Sequence, residues 1–450
     1  PIITNATSTT GDGTYKITDD INLQLDFSET VTLANANLDL TLNTGNGNKG
    51  SITTFSEKNT RSVDYTIVEG DVSARLDITT IALAAGATLQ DAGGNAPQSW
   101  TPNTTFTANK NIVIDGTRPV ITKIFSSKTA DYYGVGEQID IQIHFSEAVS
   151  TTAANILKAT LETGSTNADE ELTYGAIDNA TVATVTYTVG EDDYNAALTM
   201  KSPVVVSGGQ KVNDQAGTLG TANEMTTKTI PDGKNLADEV VDIFVDGEYP
   251  VDDGTAITVT PKGGNVVSGK FNTTNTSADF GVKLSGAKLG TGTAQSDITL
   301  VGGTVQMHAK INPNGWASIG DPYTITSNDV NASLATVNVL ERPLEGLDGF
   351  ATGASIIFKA TVTDRAANAK DWAESSNQLE IDVTLPTITS ATSTSNAGLY
   401  KIDSNINVTL GFSENVKLYN DELSVGLNTG HTFTIATNGI NNVSTKSSTY

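Results

Sequence analysis

Carboxylates recur in this chain at fixed places in a repeated pattern, and together they have the chemistry of a hard-cation site. A Glu follows Phe-Ser at Glu29, Glu147 and Glu414. An acidic loop recurs as Asp91-Ala-Gly-Gly-Asn95, Asp214-Gln-Ala-Gly217 and Asp364-Arg-Ala-Ala-Asn368. A third carboxylate precedes a proline each time: Asp115 before Pro119, Asp246 before Pro250 and Asp382 before Pro386. Carboxylate, amide and loop carbonyl oxygens are the ligands calcium prefers, about six to eight per ion. The expected ligand set is Glu29, Asp91, Asn95, Asp115, Glu147, Asp214, Asp246, Asp364, Asn368, Asp382 and Glu414, with calcium as the cofactor.

Those residues ride on a long repeat. Residues 1–17, PIITNATSTTGDGTYKI, return at 386–402 as PTITSATSTSNAGLYKI, an offset of 385 (386 − 1). That match runs on to Tyr65 and Tyr450. A related copy begins at Pro119, with Tyr133 and Phe145-Ser146-Glu147 matching Tyr15 and Phe27-Ser28-Glu29 at an offset of 118 (119 − 1). The expected modules are 1–118, 119–249, a divergent 250–385, and 386–450, which holds only the first half. The third carries GGNVVSGKFNTTNTS (263–277) in place of Phe-Ser-Glu, leaving Asp279 as a poor substitute there. Because the chain starts at Pro1 and stops mid-module, it is expected to be a segment of a larger protein.

Runs such as INLQLDF (21–27), IDIQIHF (139–145) and INVTLGF (406–412) alternate apolar and polar residues, the pattern of strands with one buried face. Gly, Asn and Asp break them at short intervals, as in antiparallel sandwiches. The expected fold is all-β: tandem Ig-like antiparallel sandwich modules in a rod-like array. In such a sandwich the loop after the second strand and the loop between the last two strands share the N-terminal pole. Glu147 should face Asp214 there, with the linker delivering Asp115. Asp382 should likewise join Glu414, and Glu29, Asp91 and Asn95 should form a half-site. Phe-Ser-Glu is expected to close its strand.

Composition narrows the function. The chain carries 51 acidic and 26 basic residues, a net charge of −25. Nucleic acid needs a concentrated basic surface and is excluded as a partner. There are no cysteines, hence no disulfides or thiolate metal sites. No apolar run approaches the roughly 18–20 residues of a membrane span. Gly45-Asn-Gly-Asn-Lys-Gly50 has dinucleotide-fingerprint spacing, but a strand, Ser51-Ile-Thr-Thr-Phe55, follows where a helix is required. His144, His308 and His431 are scattered, so no catalytic or metal histidine cluster is visible.

The Tyr-Lys-Ile…Phe-Ser-Glu start, the Asp-Ala-Gly-Gly-Asn loop and the Asp-x-Thr-x-Pro joint resemble tandem Ig-like or cadherin-like repeats of large prokaryotic cell-surface proteins, among them RTX-type adhesins and surface-layer proteins. The likeness covers the first, second and fourth modules and part of the third. It implies an extracellular stalk of a large adhesin, stiffened by calcium at its joints and not an enzyme. A surface-layer or filament subunit is the alternative within that class. Accessory modules of an exported polysaccharide-degrading enzyme are the alternative outside it. Partners implied are calcium ions and copies of the chain or other cell-surface components.

Overall fold

In the computed structural model the described residues are 1–45, 47–164, 169–239, 242–284, 299–418, 422–436 and 440–449; Tyr450, the end of the repeat match, lies outside them. Strands dominate, and most pair antiparallel. No helix is long and apolar enough to cross a membrane. The described residues form two compact units: 1–250 with 299–303 and 363–369, and the remainder of 251–449.

In the first unit, alternation does what the sequence demands. Along Asp20–Ala34, Ile21, Leu23, Leu25 and Phe27 are buried while Asp20 and the intervening polar residues face outward. This strand pairs with Ile3–Thr7, Phe55–Thr66 and Thr88–Gln90. The opposing layer holds Lys49–Ile52, Leu38–Leu42 and Ile78–Leu83, together with Gly13–Lys16, Ile112–Asp115 and Val72–Ser73. Their inner faces meet in one apolar core. The second module repeats the plan, with Ile121–Phe125, Gln138–Thr151 and Ala180–Thr188 in one sheet and a separate core. Among the described residues no sheet mixes strands from two of the four repeat segments.

In the second unit, 251–385 forms a three-stranded sheet (Thr258–Lys262, Ser277–Lys283, Leu334–Leu340) and a larger one built on Leu379–Asp382 and Ser355–Thr363. The 386–449 segment forms Ile388–Thr392, Asn407–Lys417 and Asn441–Thr449, with a small hairpin, Leu423–Gly426 and Thr432–Ile435. The first-to-second strand register repeats to the residue. Ile3 faces Phe27 and then Asn5 faces Asp26; Ile121 faces Phe145 and then Lys123 faces His144; Ile388 faces Phe412 and then Ser390 faces Gly411.

A second repeated device fixes the corners. The Tyr65 hydroxyl donates to Asp71, Tyr187 to Asp193 (2.6 Å) and Tyr323 to Asp329 (2.8 Å). The same carboxylate accepts the amide three residues past the tyrosine: Val68, Gly190 and Thr326. Burial first, then the partner carboxylate, pushes the Tyr65 hydroxyl up to about 12. The sequence signal is Tyr-Thr-Ile/Val followed by Asp four residues on, and it recurs in the divergent third module.

Candidate cation site and module joint

Three different stretches converge on one cluster of carboxylates. Ile112–Asp115 runs parallel to Gly13–Lys16, with Asp115 opposite Lys16, so Asp115 stands at the last rung of the ladder. Glu147 comes from the long strand Gln138–Thr151. Its ladder to Ala180–Thr188 slips between His144 and Val149, and Glu147 sits within that slip. A bulge re-aims a side chain locally. Asp214 follows Val212–Asn213 at the entry to the late loop and is 2 % exposed. One oxygen from each of Asp115, Glu147 and Asp214 lies within 4.8 Å of the others. It is the one such group of three among the described residues.

Phe-Ser-Glu therefore does not close its strand. Ladder slips also span Glu29, between Asp26 and Val31, and Glu414, between Gly411 and Val416, and both strands continue beyond. The motif marks a bulge, which turns the Glu aside while apolar Val31 and Val416 resume the pattern.

The cluster is electrostatically strained without a cation. Like charges 4.8 Å apart repel by about 3 kcal/mol per pair at an effective dielectric of about 20. None of the three carboxylates takes part in an ion pair among the described residues, and no hydrogen bond there reaches Glu147. Burial, then Asp115 and Asp214, pushes the Glu147 carboxyl up to about 7. Burial also raises Asp214, against hydrogen bonds from Asn223 and Ala216. Three carboxylates offer up to six hard oxygens, which fits calcium by donor type. The Thr117 hydroxyl and amide hold one Asp115 oxygen at 2.7 and 3.2 Å.

A single amide ties these stretches together. Asn223 Nδ2 donates to Asp214 Oδ2 (2.7 Å) and to the Asp115 carbonyl (2.8 Å), while its Oδ1 accepts the Ile17 amide (3.1 Å). The second joint copies this atom for atom. Asn368 Nδ2 donates to Asp364 Oδ2 (3.0 Å) and to the Asp246 carbonyl (2.8 Å), and its Oδ1 accepts the Val135 amide (2.9 Å). Val135 is Ile17 displaced by the repeat offset of 118 (135 − 17). Here Asp246 is 1 % and Asp364 6 % exposed. Burial, with Asp246 adding to it, lifts Asp364 to about 7 despite the Asn368 bond, and burial raises Asp246 too. So Asn368, expected as a ligand, uses both ends of its amide as a clamp.

The two joints differ in one matched detail. Position +3 of the acidic loop adopts positive φ at Gly94 (81°), Gly217 (104°) and even Ala367 (65°). Gly217 faces the stem of Lys16. The repeat equivalent of Lys16 is Gly134, where a Cβ would overlap the Ala366 carbonyl oxygen. At the first joint a bare glycine faces a lysine stem; at the second a bare glycine admits a backbone carbonyl.

Several of the other expected ligands have local partners of their own. Asp91 accepts bonds from Asn95 and Gly93, which hold its carboxyl below the usual range, in an exposed loop. The Glu29 side chain is half exposed, 49 %. Asp382 lies 3.8 Å from Lys270 Nζ, and one Glu414 oxygen is buried without a hydrogen-bond partner. Asp279 is held mid-strand by Lys262 (3.1 Å) and Asn338 (2.7 Å).

Asn223 was hidden in the sequence by an insertion. Asp and Asn are separated by three residues in Asp91–Asn95 and Asp364–Asn368, but by eight in Asp214–Asn223.

The raised carboxyls set the sign of a pH dependence. Glu147 rises from 4.5 and Asp364 from 3.8, each to about 7, so the folded chain binds their protons more tightly than the unfolded chain. Stability from these groups is thus lost as pH climbs from about 4 to 7. His144 and His308, lowered by burial, act in the opposite sense near 6.5. The readout is therefore the difference between wild type and Glu147→Gln in chelator. Urea midpoints should diverge progressively in favour of the variant as pH rises through that window; parallel curves would contradict the assignment.

No protein-family model matches this chain, and no curated protein matches it.

Proposed function

We propose that this chain is a stretch of sandwich modules from the stalk of an exported, cell-surface adhesin, with calcium fixing the angle at its joints. The carrying observation is the convergence of Asp115, Glu147 and Asp214 from a linker, a bulged strand and a late loop. A cation shared by these three stretches couples one module to the next. That none of the three carboxylates forms an ion pair among the described residues supports the reading, as does the net charge of −25. Recurrence of the Asn clamp at the following joint supports it too, since a spacer uses one joint design repeatedly. The work is mechanical, with calcium and other cell-surface components as partners.

Small-angle scattering of the whole chain tests this. In chelator the ionised carboxylates repel across the linker and the joint loosens, so calcium should change the profile and the maximum dimension. Identical curves with and without calcium would overturn it.

A further inference from the structure

One hairpin of the divergent third module closes in a loop that the other repeats lack. Thr304–Lys310 and Ala317–Thr324 pair antiparallel, with His308 opposite Ser318 and Ala309 opposite Ala317. Ile311-Asn-Pro-Asn-Gly-Trp316 joins them, and Asn-Pro-Asn-Gly-Trp occurs nowhere else in the chain. Segments 119–249 and 386–450 contain no tryptophan at all. Trp316 stands half-buried at the end of this hairpin. Lys310 Nζ lies 4.5 Å and Lys359 Nζ 5.3 Å from the centre of its ring. Each ammonium is tethered in turn, Lys310 to Glu374 at 2.7 Å and Lys359 to Asp371 at 2.6 Å. Cations drawn to the negative face of an indole hold it in place, so the ring is fixed before any ligand arrives.

A cavity of about 140 Å³ opens beside the ring, between this loop and the turn that follows the short helix Glu341–Glu345. Lys310, Asn314, Gly315, Gly346, Leu347 and Asp348 line it. The two loops are tied together, because Asn314 Nδ2 donates to the Asp348 carbonyl at 2.7 Å. Gly349, at a φ of 86°, permits that approach: a Cβ there would stand 3.1 Å from the same nitrogen. The chemistry of this corner narrows its ligand. Sites for drug-sized molecules run to about 300–1,000 Å³, so this one admits a substituent or the edge of a single ring. The indole face is negative and attracts the weakly positive hydrogens of C–H groups. Lys310 only donates and the Asp348 carboxylate only accepts, and a hydroxyl can satisfy either. The charges around the ring cancel in two ion pairs, and the net charge of −25 opposes a polyanion.

We propose that Trp316 and the cavity beside it form a binding site for a neutral hexopyranose unit of a polysaccharide. The C–H face of the sugar packs on the indole, and a hydroxyl-bearing substituent enters the cavity between Lys310 and Asp348. Neighbouring units of the polymer run on into solvent, so the site is open-ended and takes an internal unit of a chain. This gives the third module a recognition role that goes beyond the mechanical one and rests on none of the joint carboxylates.

The probes are linear tetrasaccharides of glucose, mannose, galactose and N-acetylglucosamine, each titrated into the full chain by calorimetry, with tetragalacturonic acid as the charged comparison. At least one neutral probe should bind saturably and slow amide exchange at 311–317 and 346–349 while leaving the other modules unchanged. Trp316→Ala should weaken that binding about tenfold or more, and Trp316→Phe should restore part of the loss. The exchange footprint is read on the wild-type chain, so the test stands even if Trp316→Ala loosens the hairpin. Absence of binding by all four neutral probes well above about 1 mM would overturn the proposal. So would a footprint elsewhere, unchanged affinity in Trp316→Ala, or tighter binding of tetragalacturonic acid than of any neutral probe.

Discussion

Asn223→Ala is expected to destabilise the first joint by about 3–5 kcal/mol. The substitution removes three bonds at once, to Asp214, to the Asp115 carbonyl and from the Ile17 amide, at a residue 3 % exposed. A buried polar group left without its partner costs about 1–3 kcal/mol, more when charged, and the three share one site, so they do not add fully. Asn368→Ala should do the same at the second joint. Asn95→Ala is the internal control: its side chain bonds only Asp91, in an exposed loop, so the loss should stay under about 1 kcal/mol. Exchange of the Ile17 and Val135 amides reads each joint separately. If Asn95→Ala proved as damaging as Asn223→Ala, the clamp would be a feature of the loop and not of the joint.

Calcium is expected to stabilise the chain by about 2.7 kcal/mol at one hundred times its Kd, and that Kd is expected at about 10⁻⁴–10⁻³ M, the range of weak calcium modules. The gain should vanish in Glu147→Gln, which leaves the Asp214–Asn223 bonds in place. In chelator the order reverses, because the variant no longer carries three crowded carboxylates and should unfold later than wild type. Binding also expels the proton that Glu147 holds up to about 7, so apparent affinity should fall as pH drops below neutrality. Thermal melts at several calcium concentrations and two pH values measure all of this. An equal calcium shift in wild type and Glu147→Gln would place the ion elsewhere.

The sheets were legible because burial enforces period-two alternation; Ile139, Ile141, Ile143 and Phe145 can face only one way. The joint carboxylates Asp115, Glu147 and Asp214 were legible because topology, not contact, predicts which loops share a pole. What stayed hidden was geometry that costs the sequence only one residue. Phe-Ser-Glu read as a strand end because a bulge adds a residue without changing composition. Asn223 was masked by the insertion after Asp214, although its twin Asn368 stood in plain view among the expected ligands. The Tyr-Asp corners lay in the repeat but in no named motif, since a hydroxyl reaching six residues on leaves only a spacing behind.

The pairing of Lys16 with Gly217, and of Gly134 with the Ala366 carbonyl, bears on how such chains are inherited and rebuilt. Each seam has its own fit, written half in one sandwich and half in the next. Shuffling whole sandwiches would set a lysine stem against a loop shaped for a bare backbone. The unit that can be duplicated, deleted or grafted intact therefore runs from the middle of one sandwich to the middle of its neighbour, and crossovers should be tolerated within sandwiches rather than between them.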